Sequence, residues 1–204
     1  MRKVLLYFIS LFIIFNTQYA NANKDNAKNW LNNEIKKIID MYRNDDIDTI
    51  TKLDAIESAI NNSFAGTGIA RYVAGEAWKI SSKELQDEFV ILFKEHLYLT
   101  IGSLMQGYSN QEYELTDSRN DKNEGVYLID MEIRQNDQKT MVTWRIKESK
   151  TRFYVIDLIV ADISLVYTKK DEFKSLLKKV DNNLAELNML LKKQNIESYN
   201  NLVN

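Results

Sequence analysis

The first half of the chain alternates apolar and polar positions with the period of a helix. Over Asn29–Arg43, apolar residues fall at Leu31, Ile35, Ile38 and Tyr42, which lie on one helix face. Asn44-Asp45-Asp46 interrupts the pattern, and Asp48 is placed to cap a second helix carrying Ile50, Leu53, Ile56 and Ile60. A third, short helix is predicted over Ile69–Trp78. Ser81 or Ser82 can cap a long fourth one, with Glu84 in its first turn, where the macrodipole favours an acid. The apolar stripe of that helix runs through Leu85, Phe89, Leu92, Phe93, Leu97, Ile101, Leu104, Met105 and Tyr108. It is too broad for one contact surface, so the helix is covered on more than one side or faces something bulky.

After Gly107 the period changes to two. Gln111–Ser118 reads as a first strand and Asp117–Glu124 as a polar turn. Val126–Gln135 places Tyr127, Ile129, Met131 and Ile133 on one face, and Asn136-Asp137 makes a tight turn. Thr140–Lys147 sets Val142, Trp144 and Ile146 against Met141, Thr143 and Arg145. Phe153–Val160 is apolar on both faces apart from Asp157, the pattern of a central strand. Four strands joined by short turns predict an antiparallel meander. Helices over Lys169–Lys179 and Asn183–Gln194 close the chain, and the last residues are expected to fray. The fold class is therefore α+β: a helical N-terminal half, a four-stranded curved antiparallel sheet and C-terminal helices. Such an arrangement encloses a packed core or a cavity, and periodicity does not separate the two.

The N-terminus adds an address. Arg2 and Lys3 precede an apolar run from Val4 to Phe15 broken only by Ser10, and Ala20-Asn21-Ala22 has the small-x-small pattern of a signal-peptidase site. The run is short of the roughly 20 residues that span a bilayer. A signal peptide over residues 1–22, cleaved after Ala22, is expected, with residues 23–204 forming a single domain. No Cys follows the run, so neither a lipid anchor nor a disulfide framework is expected. The whole chain carries 27 Lys and Arg against 29 Asp and Glu. Losing Arg2 and Lys3 with the leader deepens the acidic balance, which argues against nucleic acid as a partner.

Candidate chemistry is sparse. The one His, His96, lies between Phe93 and Leu97 on the apolar helix, with no nucleophile or carboxylate placed around it in sequence. One His and no Cys leave a zinc site without ligands. Asn44–Asp48 and Asp117–Glu124 lack the spacing of a calcium loop, and Gly66-Thr67-Gly68 lacks the Lys-Ser/Thr of a phosphate loop. Asp130, Glu132 and Asp157 are carboxylates that would serve as acid or base if buried, and Asp157 is the most notable of them. A hydrogen-bonded structural role is the simpler reading for each. No catalytic constellation, metal or cofactor is expected.

Two segments carry a more specific order of residues. The first is Ile69-Ala70-Arg71-Tyr72-Val73-Ala74-Gly75-Glu76-Ala77-Trp78, followed by Ser82, Gln86, Phe89, Phe93 and Leu97. The second runs from Phe153 to Val166 and includes Val155-Ile156-Asp157 and Asp162-Ile163-Ser164, then Thr168 and Phe173. Together with the leader and the order of elements, they resemble the MlaC family of periplasmic phospholipid-binding, toluene-tolerance proteins over nearly the whole mature chain. Ala74 stands where that family has Leu, and Asp162 where it has Gly. Asp tolerates left-handed turn conformations better than most residues.

The resemblance implies a periplasmic carrier in a system that maintains outer-membrane lipid asymmetry. Its partners would be phospholipid, an outer-membrane lipoprotein–porin complex and an inner-membrane ABC transporter with an MCE-domain subunit. Read from the apolar faces, the candidate pocket wall is Phe89, Phe93, Leu97 and Ile101 from the long helix, with ordinary core the alternative for each of these and for the sheet residues. From the sheet the candidates are Ile129, Met131 and Ile133, then Val142, Trp144 and Ile146, then Ile156, Leu158 and Val160. Arg71, Lys169 and Lys170 are candidates for meeting a phosphate at the mouth. Two other classes remain: an enzyme using Asp157 or Asp130 as base, and a chaperone or lipoprotein carrier that binds apolar protein segments.

Overall fold

The computed structural model describes residues 23–107, 111–135, 137–150 and 152–204. The expected leader, residues 1–22, lies outside them. Helix α1 covers residues 23–42 and so starts earlier than the apolar period indicates. Helix α2 (Thr49–Ser63) begins where expected: Asp48 Oδ1 accepts the Thr51 N–H at 2.9 Å, and Leu53, Ile56 and Ile60 are buried in register. The predicted Ile69–Trp78 helix is two helices, α3 (Gly66–Ala74) and α4 (Glu76–Ile80). Gly75 separates them at φ 57°, a left-handed conformation that glycine adopts without a Cβ penalty. Helix α5 (Lys83–Gln106) is capped by Ser82, whose Oγ accepts the Leu85 N–H.

The sheet is antiparallel throughout, in the order β1-β2-β3-β4-β5: Glu112–Asn120, Val126–Gln135, Gln138–Ser149, Arg152–Val160 and Ile163–Ser164. The expected four strands are thus joined by a fifth of two residues. It exists because Ala161 (φ 47°) and Asp162 (φ 66°) make a two-residue turn that pairs Ile163 with Val160. Positive φ at both central positions is the turn whose twist matches that of its flanking strands. One face of the sheet is apolar. The other carries an ionic lattice: Asp130 pairs with Arg119 and accepts from Thr143 Oγ1 at 2.6 Å, Glu132 pairs with Arg134 and Lys139, and Arg145 pairs with Asp121 at 3.1 Å.

Helices α6 (Leu165–Lys179) and α7 (Leu184–Val203) complete the chain. Helix α7 runs on to Val203, past the expected end at Gln194. Leu202 is buried against Leu53 and Leu99, so tertiary packing holds the last turns of α7. Two buried asparagines seven residues apart fasten α7 to α5. Asn188 donates to Leu85 O and Glu88, and Asn195 donates to Leu92 O and Glu95.

The molecule has two main packing centres. One is all helical, built on Phe89, Phe93, Phe173, Leu177, Leu187 and Leu191. The other lies between α1 and the apolar face of the sheet, where Ala27 and Leu31 meet Tyr127, Ile129, Ile146 and Val155. No described helix is long and apolar enough to cross a membrane.

Candidate functional site

The broad stripe of α5 serves two different surroundings, which is possible because 24 residues of helix extend about 36 Å. Its first half belongs to the helical core. Phe89 and Phe93 are fully buried, their rings 5.8 and 5.4 Å from that of Phe173, and Leu97 packs on the same cluster. Its last turns, with Ile101, Leu104 and Met105, reach a cavity of about 440 Å³ instead. Opposite them α1 contributes Leu31, Ile35 and Ile38, and α2 contributes Ile56, Ala59 and Ile60. The sheet closes the third side with Met131, Ile133, Trp144 and Val155. The wall is mostly apolar, with Ser63, Gln135 and Thr140 among its polar members.

Its charged side chains, among the described residues, are Glu34 and Glu112. Glu34 accepts from Ser63 Oγ at 2.6 Å and from Lys37 Nζ at 2.5 Å, so it ties α1 to the end of α2. Burial pushes its carboxyl up, but Lys37 and the Ser63 hydroxyl outweigh burial and hold it below the usual carboxylate range. Glu34, Ile38, Ala59 and Ser63 also line a neighbouring cleft that opens beside Lys37 and Arg152.

Of the residues that sequence reasoning placed on a pocket wall, the structure brings together Ile101, Met131, Ile133 and Trp144. Ile129 and Ile146 are fully buried next to the cavity under α1, with Leu158 packed against them. Val142 is buried across from Met131, and Val160 continues the same face beside Val142. Ile156 falls at the bulge where the β3–β4 register shifts between Arg145 and Ile146. Phe89, Phe93 and Leu97 are in the helical core, because α3, α6 and α7 cover that half of α5. The wall residues missed by that reading come mainly from α1 and α2, with Leu104 and Met105 at the end of α5, Glu112 and Tyr113 on β1 and Val155 on β4. The helical period of α1 and α2 is plain in the sequence, but a period does not say what a face covers.

Arg71, Lys169 and Lys170 do not line the cavity. Lys170 Nζ lies over the Tyr72 ring, 4.0 Å from its centroid. Lys169 Nζ is 3.0 Å from His96 Nε2 and 2.8 Å from Glu172. Arg71 sits in the last turn of α3, where a cation favours the helix end.

The titratable residues are engaged structurally. Burial, then the Lys169 ammonium, lower the His96 pKa to about 4 against a smaller opposing pull from Glu172, so its ring is neutral at pH 7. Asp157 accepts from Ser164 Oγ at 2.7 Å and from the Val166 N–H at 3.1 Å, and so ties β4 to the start of α6. Asp130 and Glu132 sit in the ionic lattice on the sheet's outer face. The described residues contain no group of three potential metal ligands. What the arrangement offers is a largely apolar hollow between α1, α2, the end of α5 and the sheet.

The family model described as MlaC protein matches residues 31–193. Among solved structures, the chain is similar to a phospholipid-binding protein from Ralstonia solanacearum, determined in complex with a phospholipid. The TM-score is 0.71 at 15% identity, over 88% of this chain and 98% of that one, a likeness of fold. No curated protein matches the sequence.

Proposed function

The chain belongs to the MlaC family, and from that premise we propose that it is a periplasmic phospholipid carrier that holds acyl chain in the cavity between α1, α2, the end of α5 and the sheet. The observation that carries the reading is the largely apolar wall of that cavity. Each methylene moved from water into such surroundings gains roughly 0.8 kcal/mol, and the transfer needs no acid, base or metal. At about 30 Å³ for a water-sized group, 440 Å³ holds about fifteen of them, the scale of one acyl chain.

In this reading residues 1–22 are the export leader and residues 23–204 a single lipid-binding domain. The protein takes lipid from one membrane-bound partner and delivers it to another. The partners that go with the family resemblance are the outer-membrane lipoprotein–porin complex and the inner-membrane ABC transporter with its MCE-domain subunit. The protein acts as a carrier and not as an enzyme, a reading supported by the structural engagement of His96, Asp130 and Asp157. Native mass spectrometry of protein purified gently from the periplasm should show co-purifying phospholipid. Empty protein that also takes up no lipid from vesicles would overturn the proposal.

A further inference from the structure

Resting on the carrier reading, we infer that the cleft bordered by α1, α2 and the start of β4 holds the phosphate of the lipid, with Arg152 and Lys37 as its cations. The acyl cavity is unsuited to that group. Its charged wall residues, among those described, are Glu34 and Glu112, so a phosphate there would shed its hydration beside like charges. The neighbouring cleft, of about 480 Å³, has the opposite balance. Lys37 from α1 and Arg152 from β4 line it against one acid, Glu34. The two hollows meet along Glu34, Ile38, Ala59 and Ser63, which line both. In a phospholipid the phosphate stands a few bonds from the roots of the acyl chains. One molecule can therefore cross that border, with chain in the cavity and phosphate in the cleft.

The donors of the cleft suit an anion. Arg152 Nη2 donates to the Asn62 carbonyl at 3.1 Å, and its guanidinium carbon lies 5.1 Å from the centroid of the Tyr154 ring. Neither partner carries a charge, and a guanidinium has five N–H donors in a fork that fits phosphate oxygens. Lys37 gives one donor to Glu34, and an ammonium has three. Ser58 Oγ accepts from Asn62 Nδ2 at 3.2 Å, which leaves its own proton for a further acceptor. Both cations are exposed, so a phosphate there keeps part of its water and adds modestly to the affinity supplied by the chain. The other cleft that borders the cavity is a poorer match. Lys28, Lys36 and Arg43 line it together with Asp40, Glu112 and Glu114, an even balance of charge.

The test compares dihexanoyl phosphatidylglycerol, whose phosphate is its only charge, with dihexanoylglycerol, which has the same chains and no phosphate. At low salt the protein should bind the phospholipid roughly three- to tenfold more tightly, the range for two exposed ion pairs. Added salt should shrink the preference. Arg152→Gln should remove most of it, and Arg71→Gln, outside all three hollows, should keep it. The Arg152 side-chain ¹⁵N–¹H resonance should move with the phospholipid and stay in place with inorganic phosphate at the same concentration. Equal affinities for the two lipids, or an undiminished preference in Arg152→Gln, would overturn the inference and leave the carrier reading intact. So would an Arg152 shift as large with inorganic phosphate as with the phospholipid, which would make the cleft a site for free anions. If neither lipid binds, the carrier reading fails and this inference with it. The lipid comparison, the salt dependence and the resonance are read on the unmodified protein, so they stand even if Arg152→Gln does not fold.

Discussion

The ammonium of Lys169 on α6 stands 3.0 Å from Nε2 of His96 on α5, whose ring lies nearly perpendicular to that of Phe173 at 5.7 Å. A neutral imidazole can accept from the ammonium, whereas an imidazolium would face a like charge in a buried place. Folding therefore lowers the His96 pKa from 6.5 to about 4. Stability from this group is fully present above pH 6.5, where both states are neutral. It is lost as pH falls through 4, because the unfolded chain takes up the proton first. We expect His96→Gln, which keeps an acceptor for Lys169 and cannot titrate, to lose less stability than the wild type between pH 6.5 and 4. Chemical denaturation at several pH values measures the difference. Parallel curves for the two proteins would show that His96 titrates normally.

Asp157 joins β4 to α6 through Ser164 Oγ and the Val166 N–H. Asp157→Ala would leave both donors without their acceptor and should cost about 2–3 kcal/mol. Asp157→Asn keeps one oxygen and should cost less. Lipid retention at low temperature should be unchanged in both, since Asp157 does not line the cavity. Loss of lipid from folded Asp157→Asn protein would place the residue in the site.

The turn between β4 and β5 holds Ala161 at φ 47° and Asp162 at φ 66°. An L-residue with a Cβ pays about 1–2 kcal/mol in that region, less for Asp, which can bond its own backbone. Ala161→Gly relieves the strain but adds freedom to the unfolded chain. The net expectation is a gain of about 0.5–1 kcal/mol for Ala161→Gly and little change for Asp162→Gly. Thermal melting of both variants decides this, and a destabilised Ala161→Gly would refute the account.

The caps, the meander and the two closing helices were legible because each rests on local chemistry: Asp48 and Ser82 before helical periods, Tyr127–Ile133 alternating on a strand. Two things were not. Gly75 ends α3 at a positive φ inside an unbroken apolar period, so only the backbone reveals the break. The cavity was half legible: Met131, Ile133, Trp144 and Ile101 follow from their faces, but Phe89 and Phe93 share the α5 stripe and go to the helical core. One period serves core and cavity alike, and which it serves depends on the partners that long-range packing brings up. The Asn188 and Asn195 clasp on α5 gave no signal, because a buried Asn looks like a surface one until its helix is docked.

That division of α5 can be tested by exchanging the consequences of two substitutions. Phe93→Ala removes a ring fully buried between Phe89 and Phe173 and should cost about 3–5 kcal/mol of stability. The protein that remains folded at low temperature should still take up lipid, because the lost ring does not line the cavity. Met131→Trp places a larger side chain on the cavity wall. Stability should fall by about 1–3 kcal/mol, while lipid uptake from vesicles falls at least several-fold. Chemical denaturation and vesicle transfer, run on both variants, separate the two effects. If Phe93→Ala abolished uptake while the protein stayed folded, the aromatic cluster would belong to the lipid site. If Met131→Trp carried lipid normally, acyl chain would have to lie elsewhere than between α1 and the sheet.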